Sequence, residues 1–130
     1  MILLDTHIVL WLANEPERLS IKAADAIREA GDRSEQLALS AASIYEITWL
    51  MERGRLMLAS GAQSFLDELN LRFAVLPIDD AIAVAAARIA APFHGDPIDR
   101  LIVATALATK SRLITADRSI LASNACKLIW

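Results

Sequence analysis

The chain has 130 residues, a length that favours a single domain with a substantial core. Its hydrophobic fraction of 55% exceeds the usual range of about 45–50%, and we expect part of that surplus to cover a partner interface. The net charge of −3 argues against a broad electrostatic grip on nucleic acid, because nonspecific binding rests on many Lys or Arg contacts to phosphate.

Short apolar runs alternate with helical patterns from one end of the chain to the other. The apolar runs predict strands at 2–4, 37–39, 73–76, 112–114 and 127–129. Helical spacing predicts helices at 8–13, 21–31, 40–53, 62–71 and 79–90, a helix starting at 97 and a short one after 117. Strands that alternate with helices favour a parallel sheet. We therefore predict an α/β fold in one domain, 1–130, with a parallel sheet of four to five strands and helices on both faces.

Punctuating residues support these boundaries. Ser20 and Ser40 are candidate N-caps, and Gly54 is a natural helix stop. Pro92 and Gly95 mark a loop before the next helix.

Membrane and secretory functions are not expected. The apolar stretch 101–109 is bounded by Arg100 and Lys110 and is too short for the ~18 residues of a membrane span. Asp5 interrupts the first apolar run, and no basic region precedes it. The lone Cys126 cannot form an internal disulfide and is expected in the core. These features predict a cytoplasmic protein.

Acidic residues occupy positions that one edge of the predicted sheet would bring together. Asp5 and Asp117 come just after strands, whereas Glu46 and Asp99 lie early in helices that follow loops. Ligands of open α/β sheets bind beyond the carboxyl ends of the strands. Because crowded carboxylates repel one another, a bound cation is the simplest compensation. A carboxylate cluster without cysteine ligands suits Mg²⁺, with Mn²⁺ as a substitute.

Each acid also has a purely structural interpretation. Asp96, Asp99 and Asp117 stand near helix starts, where carboxylates stabilise unpaired amides and the helix dipole. For Asp96, helix capping is the favoured interpretation. Glu46, on a core-facing helix stripe, and Asp5, after a buried strand, are harder to explain in this way, because an unpaired buried acid is costly.

Other side chains could support the acids. Thr6, Ser43 and Thr115 are candidates to orient carboxylates or water, although capping and turn hydrogen bonds explain them almost as well. Nearby arginines could help to reverse the local charge for a nucleic acid, namely Arg53, Arg55, Arg100 and Arg118. Arginines are more often solvated surface than RNA contacts, and we expect Trp11 and Trp49 in the core or an interface rather than in base stacking.

The expected chemistry is metal-assisted attack of water on a phosphodiester, which requires no side-chain nucleophile. His7 and His94 have no metal-ligand spacing between them, and the chain lacks a glycine-rich phosphate loop.

The chain resembles PIN-domain proteins, and most of all the VapC toxins of bacterial toxin–antitoxin pairs. The resemblance spans nearly the whole chain and rests on four segments in order and spacing: 3–7 (LLDTH), 40–47 (SAASIYEI), 96–106 (DPIDRLIVATA) and 113–118 (LITADR). It implies a PIN-like fold and a Mg²⁺- or Mn²⁺-dependent endoribonuclease that is usually dimeric and is inhibited by a VapB-type antitoxin.

By position, Asp5, Glu46, Asp99 and Asp117 match the acidic set of that family, and Asp96 matches an additional acid of many members. The resemblance implies Asp5, Glu46 and Asp99 as principal metal ligands, with Asp117 binding a second ion or holding a water. Whether one metal ion or two act stays open. Three alternatives also stay open: a solitary PIN-domain RNA-processing nuclease, a catalytically idle PIN-like binding module, and a phosphoacceptor receiver with an acidic Mg²⁺ pocket.

Overall fold

A computed structural model describes residues 1–90, 93 and 95–130 of the chain. The strands are β1 (Ile2–Leu4), β2 (Leu37–Ser40), β3 (Ala74–Leu76), β4 (Arg112–Ile114) and β5 (Lys127–Ile129). The helices are α1 (Thr6–Asn14), α2 (Ile21–Asp32), α3 (Ala41–Glu52), α4 (Ala62–Arg72), α5 (Asp80–Arg88), α6 (Pro97–Ala108) and α7 (Arg118–Ser123), with a short 3₁₀ helix at Pro16–Arg18. The predicted alternation of strands and helices is confirmed. Pro92 and His94, on which the expected loop and histidine spacing depend, lie outside the described residues.

All the strands join one parallel sheet of five strands, in the order β3-β2-β1-β4-β5. In register, Leu4 of β1 lies between Leu39 of β2 and Ile114 of β4. The chain proceeds outward from β1 to β2 and β3, then returns to the other side of β1 for β4. The strand order therefore reverses between β1 and β4, which is where open α/β sheets bind ligands.

The two faces of the sheet bury separate apolar clusters. Side chains of successive strand residues point to opposite faces. Ile2 and Leu4 accordingly pack with residues of α1, α2, α3 and α4, including Ile8. Leu3 packs on the other face against α6 residues such as Ile102 and Val103. Helices thus cover both faces, as predicted, and the sheet is buried between them.

Local side chains explain where several helices begin and end. Ser20 and Ser40 accept backbone amide hydrogen bonds at the starts of α2 and α3, which confirms both predicted N-caps. Gly54, just past α3, has a φ of +64°, which glycine adopts without steric cost. The first helix starts at Thr6 rather than at Ile8, because the Asp5 side chain caps it. Phe73 caps the C-terminal end of α4 instead of starting β3.

Two further expectations concern the membrane and the cysteine. In the ranges described above, no helix is long and apolar enough to cross a membrane. Cys126 packs against the cluster that contains Leu3 but is only half-buried, so its predicted place in the core is partly correct. Burial raises the pKa of its thiol to about 11.

Candidate active site at the carboxyl edge of the sheet

Asp5 lies at the point where β1 becomes α1. Its backbone N–H donates to the Ile114 carbonyl at 3.0 Å, which extends the pairing of β1 with β4 by one residue. Its carboxylate accepts the Thr6 N–H at 2.7 Å and the Thr115 hydroxyl at 2.6 Å. Only 4% of Asp5 is exposed. Burial raises the pKa of Asp5, and the bonds from Thr115 and Thr6 oppose that rise because they favour the charged form.

Thr115 joins Asp5 to Asp117. Its hydroxyl oxygen accepts the Asp117 N–H at 3.0 Å while its proton is donated to Asp5. The Asp117 carboxylate in turn accepts the N–H groups of Ser119 and Ile120 at 2.8 and 2.9 Å, so it caps α7. Asp117 is exposed, whereas Thr115 is buried. The structure therefore supports a positioning role for Thr115, and it shows that Asp117 is a helix cap at the edge of the site.

Glu46 is presented by the second turn of α3. Ser43 and Ile47 on the same helix are buried, but Glu46 is half-buried, so the predicted inward orientation is only partly correct. Burial raises the pKa of Glu46; the Thr6 hydroxyl and the charge of His7 oppose the rise, and the carboxylates of Asp5 and Asp96 add to it. Glu46 and Asp96 line the same cleft, which places these two acids beside each other.

Thr6 and Ser43 connect the helices that carry Asp5 and Glu46. The Thr6 hydroxyl donates to the Ser43 hydroxyl oxygen at 3.0 Å, and both side chains are buried. This contact fixes α1 against α3. The expectation that Thr6 and Ser43 orient carboxylates or water stays a prediction.

Asp96 and Asp99 form a capping box at the start of α6. Asp96 accepts the Asp99 N–H at 2.9 Å, and Asp99 accepts the Asp96 N–H at 3.3 Å. The predicted N-cap is thus confirmed. Burial, followed by the charges of Asp96, Asp117 and Asp5, raises the pKa of Asp99 to about 7. Burial is the larger cause of this rise in pKa, and the like charges of the neighbouring carboxylates add to it.

The acids therefore converge at one edge of the sheet. The carboxylates of Asp5, Asp96 and Asp117 all act on the pKa of Asp99, and those of Asp5 and Asp96 act on that of Glu46. Glu46 and Asp96 also line one cleft of about 210 Å³, together with Tyr45, Trp49 and Ile98. This placement across four separate chain segments is the one that the sequence predicts.

The donor chemistry of this cluster fits a hard divalent cation. Its side chains offer only carboxylate oxygens, and a cation would relieve the repulsion that raises the pKa of Asp99. Within residues 1–90, 93 and 95–130, no three Asp, Glu, His or Cys side chains form a metal cage as they stand. The acids are gathered but not closed around an ion, so binding would require their side chains to adjust.

Two residues near the acids have roles that the sequence patterns do not reveal. His7 is exposed, and its charge lowers the pKa of both Asp5 and Glu46. Its place two residues after Asp5 is the only signal that could have indicated this. Arg100 does not face the acids as a free cation, because its guanidinium donates to the carbonyls of Ala86 at 3.1 Å and Ile89 at 2.9 Å.

Comparison with known proteins identifies similar sequences and folds. The family model described as "PIN domain" matches residues 2–125. Ribonuclease VapC22 from Mycobacterium tuberculosis is 40% identical over 117 residues, which are 90% of this chain and 87% of that protein.

Solved structures extend the similarity to the fold. VapBC2 from Rickettsia felis, bound to a DNA fragment from its promoter, matches with a TM-score of 0.75 and 16% identity, over 98% of this chain and 97% of the other. DNA-bound VapBC from Salmonella typhimurium matches with a TM-score of 0.71 and 16% identity, over 98% and 95% of the two chains.

Proposed function

Because the chain belongs to the PIN-domain family, we propose that it is an endoribonuclease that acts as the toxin of a VapBC-type toxin–antitoxin pair. The observation that carries the proposal is the convergence of Asp5, Glu46 and Asp99 beside the point where the strand order reverses. The similarity to Ribonuclease VapC22 supports RNA as the substrate. Membership of this family argues against the phosphoacceptor receiver.

Mg²⁺ is the proposed cofactor, with Mn²⁺ as a substitute. Asp5, Glu46 and Asp99 would be its principal ligands, Asp117 would hold a second ion or a water, and Asp96 would contribute beside its capping role. When bound, the ion would stabilise the charge that develops on the phosphate and make water more acidic.

The side chains of the chain prepare the site for this chemistry. The Thr115 hydroxyl and the Thr6 N–H hold the Asp5 carboxylate in one orientation. The capping box fixes the backbone of Asp99 relative to Asp96. A bound cation beside Asp99 would relieve the repulsion that helps to raise its pKa to about 7 and would hold its carboxylate in the charged form.

The proposed partners are an RNA substrate and a VapB-type antitoxin, and the proposed state is a homodimer. Support for the antitoxin comes from the structural neighbours, which are VapBC complexes. Several large apolar side chains are exposed on the isolated chain and would be covered in such assemblies, among them Ile21, Met57 and Leu71. An RNA substrate would place the protein in the cytoplasm.

The deciding experiment measures cleavage of total cellular RNA by purified protein with Mg²⁺ or with EDTA. Asp5→Asn and Asp99→Asn should lower the cleavage rate at least about 100-fold, as expected when a transition-state electrostatic contact is lost. Asp67→Asn is the matched control, because it removes the same charge from an exposed carboxylate that accepts a hydrogen bond from Gln63 on its own helix. Discrete fragments that depend on both metal and acids support the proposal.

Absence of cleavage by antitoxin-free, metal-loaded protein would contradict the proposed ribonuclease function and favour a catalytically idle binding module. Cleavage without any inhibitory partner encoded nearby would instead favour the solitary RNA-processing nuclease.

A further inference from the structure

One face of α3 carries aromatic and basic side chains in succession. Tyr45, Trp49 and Arg53 follow one another at four-residue spacing, so they lie along the same side of the helix axis. Arg55 comes just after the helix end. Tyr45 is 59% exposed, and Trp49 is half-buried rather than enclosed in the core. Trp49 is therefore not fully in the core of the isolated chain, and its place in an interface stays a prediction.

The indole ring of Trp49 contacts the guanidinium groups of both Arg53 and Arg55. The Arg53 guanidinium lies 4.0 Å from the centroid of the indole ring, and that of Arg55 lies 5.4 Å away. Cation–π contact attracts the flat guanidinium to the ring while its N–H groups stay available at the edges. Holding two guanidinium groups in this way lowers the entropy that they lose when they bind an anion.

Arg53 and Arg55, like Arg88, Arg100 and Arg118, form no ion pair in the described part of the chain. The ion pairs of the described part of the chain join Arg18, Arg28, Arg33, Arg72 and Arg112 to glutamates or an aspartate. Arg53 and Arg55 make no such pair there. In a protein of net charge −3, they are a local concentration of positive charge. Their charge is thus available for phosphate.

This face leads directly into the candidate active site. Tyr45 and Trp49 line the same cleft as Glu46 and Asp96. Arg53 follows Glu46 by seven residues, which is about 10 Å along a helix. A strand whose phosphate lies at the acids can therefore continue across Tyr45 to the arginines within a few nucleotides.

We propose that Tyr45, Trp49, Arg53 and Arg55 form a binding track for single-stranded RNA beside the acidic site. The inference rests on the proposed ribonuclease function and deepens it. The exposed Tyr45 ring stacks on a base, Trp49 positions the arginines, and Arg53 and Arg55 contact phosphates. The acids themselves repel RNA, so this track supplies the attraction that the net charge of the protein lacks.

The test compares Arg53→Ala/Arg55→Ala with Arg28→Ala/Arg33→Ala. The second pair removes the same charge from two exposed arginines, Arg28 of α2 and Arg33 at its C-cap, which are paired with Asp25 and Glu29. Binding of a fluorescent oligoribonucleotide is measured in EDTA across a salt series, and cleavage is measured with Mg²⁺. Tyr45→Ala and Tyr45→Phe separate stacking from the hydroxyl. Circular dichroism melting confirms that each variant folds.

The track predicts that Arg53→Ala/Arg55→Ala weakens binding and raises KM at least about tenfold while kcat changes little, since remote contacts act on binding. The slope of log Kd against log salt should decrease by about 1.4, at about 0.7 for each single-strand phosphate contact. Tyr45→Ala should weaken binding about 5- to 100-fold, as expected for a lost base stack, whereas Tyr45→Phe should retain wild-type binding. The α2 control should match the wild type.

Two results would overturn the proposal without touching the ribonuclease function. One is active wild-type protein whose RNA binding and salt dependence are the same in both double variants. The other is a loss of dimer mass by light scattering in Arg53→Ala/Arg55→Ala with RNA affinity per protomer unchanged, which would assign this face to a second copy of the chain. A wild type that cleaves no RNA but binds the oligoribonucleotide through this face would overturn only the ribonuclease function.

Discussion

The Thr115 hydroxyl donates a 2.6 Å hydrogen bond to the Asp5 carboxylate, and 110 positions of the chain separate the two residues. They meet because β1 and β4 are neighbours in register, with Leu4 opposite Ile114. Asp5 directly follows β1 and Thr115 directly follows β4, at the place where the strand order reverses. The contact therefore ties the topology of the sheet directly to the candidate active site.

Replacing Thr115 by Val should destabilise the protein. The substitution keeps the shape of the side chain and removes the donor to a buried carboxylate, which should lower the free energy of unfolding by about 1.5–3 kcal/mol. Urea denaturation in EDTA measures this. Thr48→Val is the control, because the Thr48 hydroxyl bonds only to Ile44 in the preceding turn of its own helix. Equal losses in the two variants would show that the Thr115–Asp5 bond contributes nothing beyond an ordinary hydroxyl contact.

The metal-free protein should lose stability as pH rises towards neutrality. The pKa of Asp99 is about 7 in the folded chain, above its ordinary value of 3.8. Its stabilising contribution is therefore fully present below about pH 4 and is lost as pH rises through about 7. The slope should stay below about 1.4 kcal/mol per pH unit, because solvent screens this half-buried group. Urea denaturation in EDTA from about pH 5 to about pH 8 measures this slope.

Asp99→Asn removes the titrating group and should flatten that pH profile, whereas Asp67→Asn should leave it like the wild type. The pKa values of Asp5 and Glu46 are also raised, so some slope should persist in Asp99→Asn. A profile equally steep in the wild type and Asp99→Asn would mean that crowding at Asp99 is not coupled to folding.

Mg²⁺ should stabilise the wild type by occupying the acidic cluster. At a concentration of about 100 times its Kd, an ion that binds only the folded state adds about 2.7 kcal/mol. A thermal shift assay with MgCl₂ against KCl of the same ionic strength measures this. The shift should vanish in Asp5→Asn and Asp99→Asn but persist in Asp67→Asn. An undiminished shift in both site variants would place the ion elsewhere.

Arg100 should stabilise the junction between α5 and α6. Its Nη1 donates to the carbonyls of Ala86 at 3.1 Å and Ile89 at 2.9 Å while its Nη2 reaches that of Phe93 at 3.5 Å, and a lysine, with a single nitrogen, cannot place donors at both positions. Arg100→Lys should therefore lower the free energy of unfolding by about 1–3 kcal/mol in urea denaturation. Arg88→Lys, an exposed change near the end of α5, is the control and should cost less than about 0.5 kcal/mol. A smaller loss in Arg100→Lys than in Arg88→Lys would contradict this role.

The sequence by itself determined the kinds and order of the elements and the identity of the acids. Those features depend on local physics: the continuous apolar run Ile2–Leu4, the serine caps at Ser20 and Ser40, and the Asp-Pro start of α6 all act within a few residues. The family resemblance is carried by the same local segments, so it also could be found without coordinates.

The contacts between those elements became clear from the tertiary structure alone. The neighbours of β1 in the sheet bring Thr115 to Asp5, and burial with three nearby carboxylates sets the pKa of Asp99. The same is true of Arg100, whose acceptors lie on another helix and the loop after it. Strand pairing, desolvation and charge repulsion act between groups that are close in space and distant in the chain, so no local pattern specifies them.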